Sequence, residues 1–473
     1  MPTRASLARK TLAVALAAFT SLYPISVFAA PRVKLRGYIT ARPNAETVAI
    51  LDDIIHLTLE TRFELQNGPP GKSFAAEDLT VELLIEAEGT WTARHQFAAD
   101  KITCDAKQFE KQIKESAYLE REPGEADNIS TALPVRLKVD GEVLLLDENT
   151  RRAWVPGSPP TEASAQPAAA SVLSEKAPPG TRLVGHQVKY QGMRRPDGFI
   201  AASRVELGPP APPDAYKMPH GINVVRAKDS KTGIDILEFR KGSKVEGRMK
   251  VFPVKEVQEY VAQLGDSLLP PSAGMTSRPI EFRFFVVEDA SVNAAALPDG
   301  TVLVNTGLLG VVENEAQLAF VLSHEIAHAL QVHHWREVHE TRSKRVLLAL
   351  AGIAGSYFIG DLALFLGQLG LEAVVNGYQR RLENQADRLG LQNIIERKYD
   401  PRQAPRFSQI MIERYGGRSI SKIWSDHDSN VMRGSFLTIQ IQRQYPQEDF
   451  SKAIVDTEAF RAMREAMGPV KVM

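Results

Sequence analysis

At 473 residues the chain is too long for one ordinary domain and suggests about two to four. Hydrophobic residues at 44% and charged residues at 24% match a soluble globular protein, and Lys plus Arg equals Asp plus Glu at 57 each. That balance offers no basic excess for nucleic acid or anionic lipid, and the single cysteine, Cys104, excludes an intramolecular disulfide and reads as a small buried hydrophobe.

The chain opens like an export signal. Arg4, Arg9 and Lys10 form a positive start, Thr11 to Tyr23 an apolar stretch, and Val27-Phe28-Ala29 places small residues where a signal peptidase reads them. The apolar stretch falls short of the roughly 20 residues that a membrane span needs. Residues 1–29 are therefore expected to be a signal peptide, and the mature protein is expected to work in the periplasm.

Residues 30–155 read as a β-rich module. Val33 to Ile39 and Leu79 to Ile85 carry strand-like alternation or β-branched residues, and Lys107 to Leu119 reads as a helical interruption. Sliding the chain by 103 positions sets Val81, Gly89, Ala98 and Ala99 on Val184, Gly192, Ala201 and Ala202. Ile85, Phe97 and Ile102 then fall on Val188, Ile200 and Val205. The pattern, a strand, a Gly turn and a strand ending in Ala-Ala, resembles small OB-like β-barrel modules. It predicts a second module over 181–207, drawing on part of 130–155. Residues 156–180, rich in Pro, Ala and Ser, read as a linker, and the Pro-rich 208–220 as a stiffer one.

The C-terminal domain is expected over 221–473, with helix and strand mixed. Pro253 to Leu269 has helical apolar spacing, Ile280 to Val287 and Val302 to Asn305 read as strands, and Asn314 is placed to cap a long helix. That helix carries His324-Glu325-Ile326-Ala327-His328. Residues four apart lie one above the other on a helix, so the two imidazoles face the same way and are spaced to bind one zinc ion. Glu325 stands beside them to take a proton from water. The plainer alternative is an amphipathic helix with solvated histidines.

A second helical stretch, Glu383-Asn384-Gln385-Ala386-Asp387, sets two carboxylates four apart. Glu383 is the natural third metal ligand, and Asp387 can accept the free ring N–H of a ligand histidine. His334 competes for the third place. With Gln331 continuing the helix, His334 would lie about 240° round from His328, off the metal face. His333, His334 and His339 are thus expected on the surface. Val346 to Gly360 is uncharged, yet too short to span, so 346–375 reads as a buried or lid-like hairpin whose apolar side chains allow membrane contact.

Taken together these residues resemble the M48 zinc metallopeptidases, the group of Ste24-like, HtpX-like and Oma1-like enzymes. The likeness rests on His324-Glu325-x-x-His328, on Glu383-x-x-Ala386-Asp387, on Asn293 to Gly300 followed by Val304 to Leu309, and on Tyr378 to Leu382. It covers roughly 254–445. It implies an edge strand at Asn293 to Ala296 on which a substrate backbone pairs, with Asn293 and Ala296 touching it. It also implies a role for His427 in stabilising an oxyanion or capping the metal, although Asp428 stands where the family has proline. The expectation is an α+β, zincin-type (gluzincin) domain behind all-β modules, an exported endopeptidase using one Zn2+ ion, with protein or peptide substrates. By the resemblance alone, those substrates would be misfolded or unassembled envelope proteins. The rival is a chaperone-like peptide binder with weak or no proteolysis.

Overall fold

The computed structural model describes residues 32–110, 112–119, 135–155, 183–195, 197–274, 276, 279–340, 378–415 and 430–472. The expected signal peptide, the 156–180 linker, the 346–375 hairpin and His427 lie outside the described residues.

The first sheet uses β1 (Val33–Tyr38), β2 (Ala41–Asn44), β3 (Thr47–Ile50), β4 (Asp53–His56), β5 (Arg62–Gln66), β6 (Leu84–Ala93) and β7 (Gln96–Asp105). Its order is β1-β6-β7-β4-β3-β2, with β5 also paired to β7. The second uses β8 (Gln112–Tyr118), β9 (Val135–Val139), β10 (Glu142–Leu146), β11 (Arg151–Trp154), β12 (His186–Arg194) and β13 (Ile200–Pro210). Its order is β8-β12-β13-β10-β9, with β11 also paired to β13. The two topologies match strand for strand except for β2, an extra strand at the end of the first sheet.

The 103-residue slide is therefore physical. Ile85 pairs Cys104 where Val188 pairs Leu207, and Gly89 pairs Ala99 where Gly192 pairs Ala202, each glycine next to a break in register. The glycines are needed there. A Cβ on Gly89 would stand 1.9 Å from the Ala98 carbonyl oxygen, and one on Gly192 2.4 Å from that of Ala201. Thr61 and Thr150 occupy matching places too, donating to the Ala99 and Ala202 carbonyls at 2.8 and 2.7 Å. Alternate residues of each hairpin turn inward, so each module has its own core: Leu35, Ile85, Phe97 and Ile102 in one, Leu137, Val188, Tyr190 and Val205 in the other.

Three expectations need correction. The stretch from Lys107 to Leu119 is a short 3-10 turn (Ala106–Glu110) followed by strand β8, because β8 finds a partner in β12, far along the chain. The modules divide between β7 and β8, so 30–155 holds all of the first sheet and part of the second, which β12 and β13 complete across the 156–180 stretch. Residues 208–220 are not a bare linker: β13 runs to Pro210, and Ala211, Ala215 and Tyr216 are buried against Tyr118 and Val332.

The C-terminal region begins with a small antiparallel sheet, β14 (Ile222–Lys228), β15 (Asp235–Lys241) and β16 (Lys244–Lys250). Helix α1 (Lys255–Ser267) turns Val257, Val261 and Leu264 onto the core. Strands β17 (Arg283–Val287), β18 (Ala294–Ala296) and β19 (Thr301–Asn305) form a second sheet in the order β17-β19-β18. After α2 (Thr306–Val311), Asn314 caps α3 (Glu315–Leu330) by accepting from the Gln317 N–H at 3.1 Å. All sixteen residues of α3 are buried, including its histidines and glutamates. The remaining helices among the described residues are α4 (His333–Glu340), α5 (Arg380–Glu396), α6 (Gln403–Tyr415), α7 (Asn430–Gln444) and α8 (Glu458–Met467). No helix among the described residues is long and apolar enough to cross a membrane.

Candidate active site

Helices α3 and α5 pack closely enough that a Cβ on Gly390 would meet the His324 backbone nitrogen at 3.1 Å. That closeness brings Glu383, two turns before Gly390, to the histidine face. His324 Nε2 and His328 Nε2 lie 2.9 Å apart, and Glu383 places its carboxylate oxygens 3.5 Å from the first and 3.4 Å from the second. All three side chains are buried.

Three buried ligand-type groups thus face one another. Donors about 2.0–2.1 Å from a tetrahedral zinc stand roughly 3.3 Å from each other, which is the spacing seen. Among the described residues His324, His328 and Glu383 are the one group whose donor atoms all lie within 4.8 Å of one another. The donor set fits a metal ion.

His324 is held by groups from two further helices. Its Nδ1 donates to Asp387 at 2.9 Å, and Arg433 on α7 grips both oxygens of the same carboxylate. Burial acts against the Asp387 charge, but Arg433 and the His324 hydrogen bond outweigh it and hold the carboxyl below its usual range. Glu325 points the other way, where its Oε2 accepts the Ala296 N–H at 2.9 Å. Burial pushes the Glu325 carboxyl up to about 7.

Strand β18 is the outer strand of its sheet. The Asn293 carbonyl accepts from Asn305 at 3.0 Å and the Leu297 N–H donates to Thr301 at 2.8 Å. By the alternation of an antiparallel ladder, the backbone groups of Ala294 and Ala296 then face the open edge toward α3. The structure thus brings Ala296 to the Glu325 carboxylate. Asn293 is buried, and its Oδ1 has no hydrogen-bond partner among the described residues.

One expectation fails. His333 is fully buried, not on the surface, because α3 stops at Leu330 and Val332 adopts a left-handed φ of 48°. The chain reverses and drops the His333 ring against His328, Nδ1 to Nδ1 at 2.7 Å. Burial, joined by the charge of Arg336, holds His333 well below its ordinary pKa. His334 is half-buried and His339 exposed, and neither joins the donor group. Tyr378 was also missed as a site residue: its ring stacks on His328 with centroids 4.4 Å apart. Its place in the Tyr378 to Leu382 motif was the available signal.

Residues 255–441 match Peptidase family M48. Over 171 residues the chain is 30% identical to the beta-barrel assembly-enhancing protease of Yersinia pestis, covering 35% of this chain and 34% of that protein. Over 159 residues it is 31% identical to the mitochondrial metalloendopeptidase OMA1 of Arabidopsis thaliana, covering 33% and 31%. A further likeness, 31% over 216 residues, is to the mitochondrial metalloendopeptidase OMA1 of Bos taurus, covering 42% and 39%. The chain thus spans about a third of the length of the curated relatives it matches. The likeness to peptidase family M48 is thus carried by residues 255–441, less than half of the chain.

Proposed function

We propose that the protein is an exported, zinc-dependent endopeptidase of the gluzincin kind that hydrolyses peptide bonds in misfolded or unassembled envelope proteins. The observation that carries this is the buried His324, His328 and Glu383 group with Glu325 beside it. His324 and His328 on α3 and Glu383 on α5 would hold the ion. Bound zinc acidifies water and polarises the scissile carbonyl.

The chain's own residues do the rest. A substrate strand lies against the open edge of β18, where Ala294 and Ala296 supply main-chain partners and the buried Asn293 Oδ1 a further acceptor. Glu325 releases the Ala296 N–H, takes the proton of the attacking water and passes it to the leaving nitrogen as the C–N bond breaks. Asp387, gripped by Arg433, keeps His324 Nδ1 protonated and its Nε2 turned to the donor group. The names of the β-barrel assembly-enhancing relatives support an envelope substrate, and the export signal at 1–29 supports the periplasm.

The test is Glu325→Gln in the full chain, with zinc content and turnover of an unfolded protein measured on the same samples. Zinc retained at one ion per chain with turnover reduced at least about a hundredfold is expected. Undiminished turnover contradicts the role of Glu325. Wild-type chain that holds zinc and binds the unfolded protein without cutting it supports the chaperone-like alternative.

A further inference from the structure

The ring of His333 has no place in the mechanism above, yet it is fully buried and spans two partners. On one side is His328, Nδ1 to Nδ1 at 2.7 Å; on the other is Gln385, His333 Nε2 to Oε1 at 2.9 Å. The direction of every proton in this chain can be read from groups that have only one role. Arg336 can only donate, and its Nη1 lies 2.7 Å from Gln385 Oε1. The Asp140 carboxylate can only accept, and it lies 2.7 Å from Gln385 Nε2. The Gln385 amide is therefore oriented with its oxygen toward His333, so His333 Nε2 carries a proton and donates it. A histidine that binds metal through Nε2 carries its proton on Nδ1. His328 then donates from Nδ1, and His333 Nδ1 is the acceptor.

Asp140 is at the tip of the β9–β10 hairpin, in the second β module, and is itself buried and held by Arg388. The same module meets the site from a second direction. The Gln331 side chain accepts from the Tyr118 N–H at 2.7 Å and donates to the Tyr118 carbonyl at 2.8 Å, pairing with the end of β8 as a strand would. Arg336 also donates to the Ser116 carbonyl of that strand at 3.0 Å. The turn that carries His333 is thus clamped to the module on both sides.

We propose that His333 is a positioning residue of the metal site, holding His328 in the tautomer that presents Nε2, and that Asp140 of the second β module sets His333 through Gln385. This rests on the reading that His324, His328 and Glu383 bind zinc. On this account the module is part of the apparatus that orients a ligand, which a spacer or a substrate-docking module would not be.

The test uses the full chain with His333→Leu and His333→Asn, zinc affinity being measured by competition with a chromophoric chelator. Leucine fills the space but cannot accept the His328 proton. Asparagine sets an oxygen close to where His333 Nδ1 stands. Leucine should weaken zinc binding about 10–100-fold, and asparagine should recover most of that loss. Nitrogen-15 spectra of the imidazoles in zinc-loaded wild type should show His333 protonated at Nε2 and His328 at Nδ1. A leucine variant that binds zinc as tightly as wild type, an asparagine variant no better than leucine, or a proton on His333 Nδ1 overturns the proposal. Wild type that binds no zinc overturns instead the metal-site reading beneath it.

Discussion

The two β modules share a topology and use matching positions to grip the C-terminal domain, but the chemistry of the grip differs. Gly37 pairs Ile85 and Ala117 pairs Val188, which makes Tyr38 and Tyr118 equivalent. The Tyr38 N–H goes to Ser435 Oγ at 3.0 Å, and the Tyr118 N–H to Gln331 Oε1. The hairpin corners also match, with Leu51 and Asp140 both in the left-handed region at φ 56° and 61°. Leu51 sits against Gly434 on α7, where a Cβ would come within 3.0 Å of it. Asp140 reaches into a buried network with Arg388 and Gln385 on α5. One module therefore backs the helix that carries Arg433, and so the His324 side. The other backs the helix that carries Glu383, and so the His328 side. A single fold, used twice, meets one half of the metal site with an apolar corner and the other with a buried ion pair.

The largest effect should come from unequal treatment of the two corners. Asp140→Ala removes the nearer of the two buried carboxylates paired with Arg388, leaving Glu142 at 3.9 Å, and should cost about 3 kcal/mol in chemical denaturation. Leu51→Ala, at a half-buried apolar contact, should cost less than about 2 kcal/mol. Equal costs would mean that the two docks are not chemically distinct. Next, Arg433→Lys keeps a charge but loses the two-pronged grip on Asp387, and zinc affinity should fall about tenfold by chelator competition. An unchanged affinity would separate the first module's dock from the metal site.

The smallest effect concerns pH. Glu115 on β8 stands where the first module has Leu35. Burial pushes its carboxyl from 4.5 up to about 7, with Arg388, Asp140, Arg381 and Arg336 as the charges around it. Because the folded chain holds this proton more tightly than the unfolded one, the contribution is fully present below about 4.5 and lost as pH rises through about 7. Glu115→Leu, which installs the first module's residue, should flatten the stability profile over that window. A profile that keeps its slope would assign it to another group.

What the sequence revealed was local. His324, Glu325 and His328 share one helix, Glu383 and Asp387 another, and a period of 3.6 residues sets each pair without knowledge of the rest of the chain. The internal repeat could be read because Gly89 and Gly192 answer to a steric demand that only glycine meets. The strand β8 was mistaken for helix since its partner β12 lies across the 156–180 stretch, and no local pattern records that pairing. His333 was misplaced for a related reason. A Val at positive φ is an outlier that tertiary contacts impose, so a helix extrapolated through Gln331 carries the residue to the wrong face. Arg433 and Gln385 matter only through neighbours brought from other helices, and their spacing in the chain gives no hint of it.

The most direct measurement is anomalous diffraction at the zinc edge from crystals of the full chain. The account predicts one peak per chain, about 2.0–2.1 Å from His324 Nε2, His328 Nε2 and a Glu383 oxygen. A peak bonded to His333 or His334 in place of Glu383, or zinc-soaked crystals with no peak at this group, would contradict it.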